Sequence, residues 1–392
     1  MIQLNIRDTK QLKPVTDVLK ENQWLNKQKK IENHNGVFVI YTNLKSLPPI
    51  LSQYDFSQYD NEPRAKISLR YCIETYYKQH GLNKLDFEIP KKWSIYPPMV
   101  LFNANTDKKY LPKALCQELL KHQVKIFGRC GITHLAINKP IIESDVMRRP
   151  FNIVPLYGDF GPELAMDHWP TEADFTNAFW CHVVQNGIYQ TWAPKYTMFS
   201  RGNIKEKKRI LDCYKNLDGS IVVDFYCGIG YFALSYLKNG AKVLCWEINP
   251  WSIEGFKRAL QHAGYKYKIY QQDESFQIDE LKNVDACLFL ESNEKLLERF
   301  EHVKEKKLNI KHINLGLLPS SRPSWKTAHQ LVTNKSCCET IVHLHENVHT
   351  NYIDTLKNEI EARFQESRVL YVERVKTFAP DIWHIVYDVE IK

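Results

Sequence analysis

The sequence lacks several features that would assign it to a familiar class. Its ten cysteines include no Cys-x-x-Cys pair, so we expect no structural zinc site. No run approaches the roughly 18 apolar residues of a membrane helix, and the N-terminal residues contain no apolar signal core. Internal repeats and low-complexity tracts are missing as well. These absences favour a globular protein of a reducing compartment, most simply the cytoplasm, without a metal or a membrane partner.

The composition is that of a folded protein with a basic surface. Of its 392 residues, 44% are hydrophobic and 25% are charged, and the formal net charge is +8. This length predicts two or three domains. The excess of lysine and arginine is compatible with an anionic partner such as RNA, but enzymes that act on neutral substrates are often as basic. Charge alone therefore leaves both classes open.

Changes of pattern along the chain predict three domains. Residues 1–95 form a weakly patterned α/β segment whose role the sequence does not assign, and a proline-flanked stretch at residues 91–98 suggests a linker. Residues 96–195 predict a smaller α+β domain. Residues 196–392 alternate strands and helices, which is typical of an open, Rossmann-like parallel sheet with helices on both faces.

Within these domains, the pattern predicts individual elements. In the middle domain a helix is expected from Pro170 to Gln185, with Gly187 as its stop. In the last domain a seven-stranded sheet is expected, completed by a C-terminal antiparallel hairpin. The strand candidates are Ile221–Asp224, Lys242–Trp246, Tyr267–Tyr270, Ala286–Leu290, His312–Leu315, Glu339–Leu344, Val369–Val375 and Trp383–Val389.

The most informative stretch of the chain runs from Ile221 to Glu247. A short apolar strand ends in Asp224, and a tight turn with Gly228 and Gly230 follows. A helix and a second apolar strand come next, and that strand ends in Glu247. Glycines let the backbone approach a ligand closely, and one carboxylate can accept both hydroxyls of a ribose. This unit predicts a binding site for the adenosine half of a cofactor.

The position of Asp224 distinguishes between adenosine cofactors. The spacing Gly228-x-Gly230-x-x-Ala233 satisfies the dinucleotide fingerprint, which keeps a nicotinamide-dependent dehydrogenase as an alternative. However, Asp224 places a negative charge at the mouth of the turn, where it would repel a pyrophosphate. S-Adenosylmethionine carries a sulfonium and an ammonium but no phosphate, so it is favoured. A fold that has lost cofactor binding is the remaining alternative.

Two further segments follow predicted strands and are expected at the same edge of the sheet, where open α/β sheets bind ligands. Asp273 and Glu274 are predicted to meet the adenine, although an ordinary acidic turn has the same pattern. The segment from Asn314 to Pro319 predicts a rigid loop that faces the substrate. Cys227 is interpreted as a small residue that fits the glycine turn, because no basic neighbour in the sequence would activate its thiol.

Three segments together resemble the tRNA wybutosine-synthesizing protein 2 family, which is similar in fold to the tRNA guanine nitrogen-1 methyltransferases. They are Met198–Lys207, Trp246–Pro250 and Asn314–Ser321. The resemblance covers about residues 125–392 and implies a class I S-adenosylmethionine-dependent methyltransferase-like fold. It also implies transfer of the 3-amino-3-carboxypropyl group, not the methyl group, to carbon 7 of 4-demethylwyosine, the modified guanosine beside the anticodon of phenylalanine tRNA.

The resemblance also implies residues that contact the cofactor. Lys207 and Ser200 are matched to cofactor contacts, and physically they can hold a carboxylate through one charge-assisted and one neutral hydrogen bond. By pattern alone, Lys205–Arg209 is typical of a solvated helix face. With the glycine turn included, the predicted cofactor-binding set is Ser200, Lys207, Asp224, Tyr226, Gly228, Glu247, Asp273 and Glu274.

The sequence does not identify a catalytic base for the loss of the proton from carbon 7. Asp224 is expected to position the cofactor. His343 and His345 are candidates, but their alternation along a strand is typical of structural histidines. Solvent is therefore an alternative proton acceptor.

Basic and aromatic residues predict where tRNA would bind. The basic segments Arg148-Arg149, Lys205–Arg209 and Lys304–Lys311 could contact phosphates, and such contacts would weaken with salt. Aromatic side chains could stack on a splayed base, although most aromatic residues pack in a core. The candidates are Tyr226, Tyr231 and Trp251.

Two alternative functions stay open on the same scaffold. One is a tRNA guanine-N1 methyltransferase, but the resemblance places an uninterrupted Asn-Leu-Pro in those enzymes, and Gly316 interrupts that pattern here. The other is a non-catalytic RNA-binding module that retains the fold. Whichever applies, we expect a monomer whose partner is a tRNA.

Overall fold

The computed structural model describes residues 1–27, 29–59, 67–142, 144–272, 274–301, 303, 307–364 and 366–392. Within these ranges the chain forms two compact units, Met1–Tyr71 and Cys72–Lys392. The domain boundaries at residues 95 and 195 stay predictions. Among the described helices, none is long and apolar enough to cross a membrane.

The first unit is built on a four-stranded antiparallel sheet in the order β2-β3-β1-β4. Helix α1 begins after Asp8, whose side chain accepts a hydrogen bond from the backbone of Lys10. This helix buries Val15 and Leu19 in the core of the unit. The elements are β1 (Ile2–Ile6), α1 (Thr9–Glu21), β2 (Glu32–His34), β3 (Val37–Tyr41) and β4 (Asp55–Gln58), and α2 (Leu69–Gln79) follows them.

The second unit contains a smaller sheet of four strands in the order β5-β6-β7-β8. Its central pair, β6 and β7, is parallel, and the outer strands are antiparallel to them. Helix α3 buries Leu115 and Leu119. The elements are β5 (Trp93–Tyr96), β6 (Met99–Phe102), α3 (Lys113–Lys121), α4 (Gln123–Phe127), β7 (His134–Ile137) and β8 (Val154–Tyr157).

The predicted helix from Pro170 to Gln185 is wrong over its second half. Helix α5 (Glu172–Asn177) ends early, and β9 (Cys181–Gln185) pairs with β10 (Ile188–Trp192) in an antiparallel hairpin. Between the two strands, Asn186 and Gly187 adopt φ values of 54° and 70°. Asn-Gly with positive φ at both positions is the preferred two-residue hairpin turn. Gly187 therefore turns a hairpin and does not end a helix.

The large sheet of the second unit has the Rossmann-like form that the sequence predicts. Its strand order is β13-β14-β12-β11-β15-β16-β18-β17, in which the first six strands pair in parallel and β18 pairs antiparallel with both β16 and β17. The strands are β11 (Ile221–Asp224), β12 (Lys242–Glu247), β13 (Tyr267–Tyr270), β14 (Ala286–Leu290), β15 (Ile310–Leu315), β16 (Thr340–His349), β17 (Ser367–Ala379) and β18 (Ile382–Ile391). The helices are α6 (Ile204–Cys213), α7 (Ala233–Lys238), α8 (Pro250–Ala263), α9 (Leu296–Glu301), α10 (Trp325–Lys335) and α11 (Ile353–Arg363).

The large sheet is buried on both faces. Alternate strand residues point to opposite sides, so Val222 packs with α7 and α8 while Val223 packs with α10 and α11. The predicted fold class is confirmed, but the sheet has eight strands, not seven. The order is also not sequential, because β14 lies between β12 and β13. This placement decides which residues border the site.

Candidate functional site

A cavity of about 400 Å³ opens at the carboxyl ends of the central strands of the large sheet. Its wall comes from the segments that follow β11, β12, β14 and β15, together with two segments from outside the sheet. A volume of this size suits a nucleoside cofactor. After the strands the segments are 225–228, 247–248, 291–294, and 316–318 with 323–327; from outside the sheet they are 146–148 and 197–203.

The glycine turn after β11 brings backbone to the cavity wall. Gly228 has a φ of 54°, and a Cβ atom there would lie 2.7 Å from the ring of Tyr231. Gly230 has a φ of 79°, and a Cβ there would lie 2.5 Å from Phe256. Both positions therefore require glycine. The turn holds its backbone close to any ligand in the cavity, as the sequence predicts.

Glu247 is held by the backbone in front of this turn. Its Oε2 accepts a hydrogen bond from the amide of Gly228 at 3.0 Å, and its Oε1 accepts one from the amide of Asn249 at 2.8 Å. Burial raises the pKa of Glu247, and these two amides act in the opposite direction. Each carboxylate oxygen keeps a further lone pair, so Glu247 can still accept hydrogen bonds from two ribose hydroxyls.

Asp224 lies at the end of β11, beneath the cavity wall. Its Oδ1 accepts a hydrogen bond from the amide of Tyr226 at 3.2 Å, whereas its Oδ2 is buried with no partner among the described residues. Burial raises the pKa of Asp224 to about 7. The neighbouring strand residue Asn314 also has an unpartnered buried atom, Nδ2. A buried polar atom without a partner requires an explanation, and a ligand group is one.

Lys207 does not line the cavity. Its side chain is 3% exposed, and its Nζ donates to the side-chain oxygens of Gln185 at 2.6 Å and Gln190 at 2.9 Å. Tyr231, whose ring lies 5.6 Å from this Nζ, does line the cavity. Burial lowers the pKa of Lys207 to about 7. Lys207 is thus a buried amine behind the wall, whereas Ser200 lies on the wall as predicted.

The segment predicted to meet the adenine is displaced from the cavity. Asp273 lies outside the described residues. Glu274 is not on the cavity wall, and its carboxylate pairs with Lys268 at 3.1 Å. The reason is that β13 is an edge strand and β14 takes the place beside β12.

The residues that follow β14 border the cavity instead. They are Glu291, Ser292, Asn293 and Glu294. The side chain of Asn293 donates to the carbonyl of Phe225 at 2.9 Å and so joins this segment to the glycine turn. A polar Glu-Ser-Asn-Glu run directly after the wholly apolar strand β14 is the sequence signal that could have identified it.

The predicted substrate loop contributes backbone and apolar side chains to the wall. Gly316 to Leu318 line the cavity, whereas Asn314 is buried in β15 and Pro319 lies beyond the wall. The carbonyl of Pro319 accepts a hydrogen bond from the amide of Asn347 at 2.8 Å. Asn314 and Pro319 therefore support the loop, and the residues between them face the cavity.

Arg148 is a basic residue on the cavity wall. It lines the cavity, adopts a φ of 52°, and donates through Nη2 to the carbonyl of Leu318. Burial lowers the pKa of Arg148. Its neighbour Arg149 points elsewhere and pairs with Asp145 at 2.8 Å. The sequence predicted an RNA contact for both arginines, but the structure gives them different surroundings.

Several of the other predicted tRNA-binding cations have protein partners. Lys205 pairs with Glu373 at 2.5 Å, and Lys208 pairs with Asp212 at 2.6 Å. Residues 304–306 of the predicted segment Lys304–Lys311 lie outside the described residues. A tRNA surface built on these cations stays a prediction.

The two histidines considered as bases do not reach the cavity. Both His343 and His345 are buried. His343 Nδ1 lies 2.7 Å from an oxygen of Asp388, and His345 Nδ1 lies 2.9 Å from His384 Nε2. Neither is on the cavity wall, so both are structural.

The aromatic candidates divide between the cavity and the core. Tyr226 and Tyr231 line the cavity. Trp251 instead stacks on Tyr196 with the ring centroids 3.8 Å apart. Trp251 is therefore a packing residue, and the two tyrosines are available to a ligand.

Comparison with known proteins agrees with this architecture. Residues 182–306 match the TRM5/TYW2 methyltransferase domain. The tRNA wybutosine-synthesizing protein 2 of Schizosaccharomyces pombe is 40% identical over 85% of this chain and 79% of its own length. The protein of the same name from Saccharomyces cerevisiae is 37% identical over 83% of this chain and 80% of its own.

Solved structures show the same fold. A structure of aTrm5 with tRNALeu has a TM-score of 0.59 at 18% identity and covers 100% of this chain and 99% of its own. P. horikoshii TYW2 in complex with MeSAdo has a TM-score of 0.52 at 17% identity and covers 81% of this chain and 97% of its own.

The fold, the glycine turn and the half-buried Glu247 define an S-adenosylmethionine-dependent transferase with a class I methyltransferase-like fold. The chain belongs to the tRNA wybutosine-synthesizing protein 2 family. The resemblance inferred from the sequence is thereby confirmed.

Proposed function

We propose that this protein transfers the 3-amino-3-carboxypropyl group of S-adenosylmethionine to carbon 7 of 4-demethylwyosine in phenylalanine tRNA. The observation that carries the proposal is 40% identity to a tRNA wybutosine-synthesizing protein 2 over most of both chains. The cavity supports it, because its wall combines an adenosine-binding turn with a separate loop suited to a substrate.

The residues present fit the cofactor. Glu247 would accept hydrogen bonds from the ribose hydroxyls, and the glycine turn at Gly228 would pack against the nucleoside. The unpartnered Oδ2 of Asp224 would accept a hydrogen bond from the ammonium group or attract the cationic end of the ligand. Ser200 also lines the cavity and offers a hydroxyl.

Orientation is what these residues contribute to the reaction. S-Adenosylmethionine supplies a sulfonium whose three attached carbons are all electrophilic, so the carbon that reacts is the one that faces the nucleophile in line with sulfur. The wall must therefore turn the carboxypropyl chain toward the loop Gly316–Leu318 and the methyl group away from it. Tyr226, on the same wall, would stack on the incoming base.

The proton on carbon 7 must leave after the new bond forms. Because His343 and His345 lie in the core, we propose that solvent at the mouth of the cavity accepts it. Asp224 would keep its positioning role, since its carboxylate lies beneath the wall.

The mass of the transferred group tests the proposal. The protein is incubated with S-adenosylmethionine and phenylalanine tRNA that carries 4-demethylwyosine, and the digested nucleosides are weighed. We expect a gain equal to one aminocarboxypropyl group. A methyl gain, or methylation of an unmodified transcript, would instead identify a guanine methyltransferase, and no gain with intact cofactor binding would identify a non-catalytic module.

We also propose that the protein acts as a monomer in the cytoplasm. All ten cysteines are free, and six of them are buried, which suits a reducing compartment. Light scattering with and without tRNA tests the oligomeric state, and fluorescence microscopy of the tagged protein tests the location.

A further inference from the structure

The carboxylate of the transferred group needs a cationic anchor, and the residue predicted for this role is out of reach. Lys207 lies behind Tyr231, and both of its described hydrogen-bond acceptors are amide oxygens of the protein. A carboxylate in the cavity could contact Lys207 only if the Tyr231 side chain moved. That ring is fixed, because its hydroxyl donates to the carbonyl of Met198 at 2.6 Å and accepts from the amide of Ser200 at 3.1 Å.

Arg148 carries the only lysine or arginine side chain on the described cavity wall. The single hydrogen bond described for its side chain goes to the carbonyl of Leu318. A guanidinium has five N–H donors in a planar fork, so most of its donors stay available. No described carboxylate lies within ion-pair distance of it, although Glu247 is near enough to interact through space. Arg148 is therefore a partly desolvated cation that forms no ion pair with a described carboxylate.

Arg148 lies between the part of the cavity proposed for the cofactor and the loop proposed for the substrate. Its hydrogen bond to Leu318 places the guanidinium beside the substrate loop, while Glu247 holds the ribose side of the cavity. The backbone of Arg148 has a φ of 52°, a conformation that costs free energy for a residue with a side chain and is concentrated at functional sites. An anion bound there would lie next to the loop that faces the substrate.

We propose that Arg148 binds the carboxylate of the aminocarboxypropyl group and so turns that group, and not the methyl group, toward the substrate loop. A guanidinium can hold a carboxylate through two parallel hydrogen bonds, which fixes direction as well as position. The inference rests on the proposed function, because only carboxypropyl transfer requires this orientation.

Binding of two nucleosides tests the inference without measuring catalysis. S-Adenosylhomocysteine carries the carboxylate, whereas 5′-methylthioadenosine has the same adenosine and sulfur but no aminocarboxypropyl group. For Arg148→Gln we expect the affinity for S-adenosylhomocysteine to fall by about tenfold or more, the loss expected for a charge-assisted pair. The affinity for 5′-methylthioadenosine should stay unchanged, and Arg148→Lys should restore part of the loss.

Two further variants make the result specific. Arg149→Gln removes the adjacent arginine, which pairs with Asp145, and should leave the affinity for both nucleosides unchanged. Lys207→Met tests the anchor predicted from the sequence. If Lys207→Met, and not Arg148→Gln, selectively weakens S-adenosylhomocysteine, the anchor is Lys207 and the inference is wrong.

Each remaining outcome would overturn either the role of Arg148 or the proposed function. If Arg148→Gln binds both nucleosides like the wild type but loses affinity for tRNA, the guanidinium binds a phosphate and the inference is overturned. If it weakens both nucleosides equally, Arg148 supports the fold of the cavity and does not anchor the carboxylate. Failure of the wild type to transfer an aminocarboxypropyl group would overturn the proposed function by itself, whatever the binding results are.

Discussion

Two buried polar clusters of the second unit differ in how completely they are paired. The hairpin cluster comprises Glu206, Arg209, Tyr214, His343 and Asp388. The guanidinium of Arg209 donates two hydrogen bonds to Glu206, at 2.6 and 2.8 Å, and two to Asp388, at 2.5 and 2.9 Å. The hydroxyl of Tyr214 also donates to Asp388 at 2.7 Å, and Nδ1 of His343 lies 2.7 Å from the other oxygen of this carboxylate.

The pocket cluster comprises Arg148, Asp224, Glu247 and Asn314. Asp224 and Asn314 each have a buried atom with no partner among the described residues, and Arg148 has no described carboxylate partner. Since burying an unpaired polar group costs free energy, a cluster of this kind persists where a ligand completes it. The number of hydrogen-bond and ion-pair partners, more than burial itself, therefore distinguishes charged groups that stabilise the fold from charged groups that bind a ligand.

We expect the largest effect from a substitution that disrupts the hairpin cluster. Asp388→Asn removes the charge that three neighbours share, and we expect the free energy of unfolding to fall by about 3 kcal/mol, because the buried Arg209 loses one of its two counter-ions and keeps only Glu206. Urea unfolding measures this change. Arg368→Ala is the control, since its pair with Glu390 is solvent-exposed at Arg368 and should contribute about 0.5 kcal/mol. An unchanged unfolding midpoint for Asp388→Asn would remove the distinction between the clusters.

The second prediction uses the pH dependence of the pocket cluster. The pKa of Asp224 is raised by burial to about 7, above its value of about 4 in an unfolded chain. The folded state therefore binds this proton more tightly, and the stabilising contribution is complete below about pH 4 and is lost as the pH rises through about 7. The loss is at most roughly 4 kcal/mol in the ligand-free protein.

Asp224→Asn should remove that dependence. The difference in unfolding free energy between variant and wild type, measured by urea unfolding from about pH 4 to 8, should shift in favour of the variant as the pH rises. The cofactor should also bind the wild type more tightly above pH 7 than below it, because the ionised carboxylate attracts a cation. A pH-independent difference would mean that Asp224 is already ionised and paired.

The third prediction separates binding from folding. Glu247→Ala should weaken S-adenosylhomocysteine by about 10- to 100-fold, since it removes charge-assisted hydrogen bonds to the ribose. Isothermal titration measures the affinity, and Glu247→Gln should lose less because it keeps one acceptor. Equal losses of affinity and of stability would contradict a role confined to the ligand.

The smallest expected effect concerns the segment after β14. Asn293→Ala removes one hydrogen bond to the glycine turn and should weaken cofactor binding by about fivefold, corresponding to about 1 kcal/mol. Glu274→Ala, which changes a residue off the cavity wall, should leave the affinity unchanged. The opposite result would restore the adenine contact to the segment predicted from the sequence.

Much of the fold could be predicted because its signals are local. All eight strand candidates of the large sheet are strands in the structure. The turn with Gly228 and the acid at Glu247 were identified because glycine and a strand-terminal carboxylate have meaning within a short stretch. The hairpin at Asn186-Gly187 was missed although its signal is also local, since the apolar residues before it match the spacing of a helix face. They are Phe175, Phe179, Trp180 and Val183.

The adenosine-binding unit and the class of cofactor follow from the sequence, because they depend on residues that are close along the chain. The family follows from three short segments, each with its own local pattern, between Met198 and Ser321. Only the tertiary structure decided which side chains meet the ligand. The insertion of β14 beside β12 removes Glu274 from the cavity and brings in Asn293, and the packing of Tyr231 hides Lys207 and leaves Arg148 on the wall. Strand order and side-chain packing join residues that are far apart in sequence. A local pattern can mark a polar run at the end of a strand, but it does not encode which strand lies beside β12 or which side chain covers Lys207.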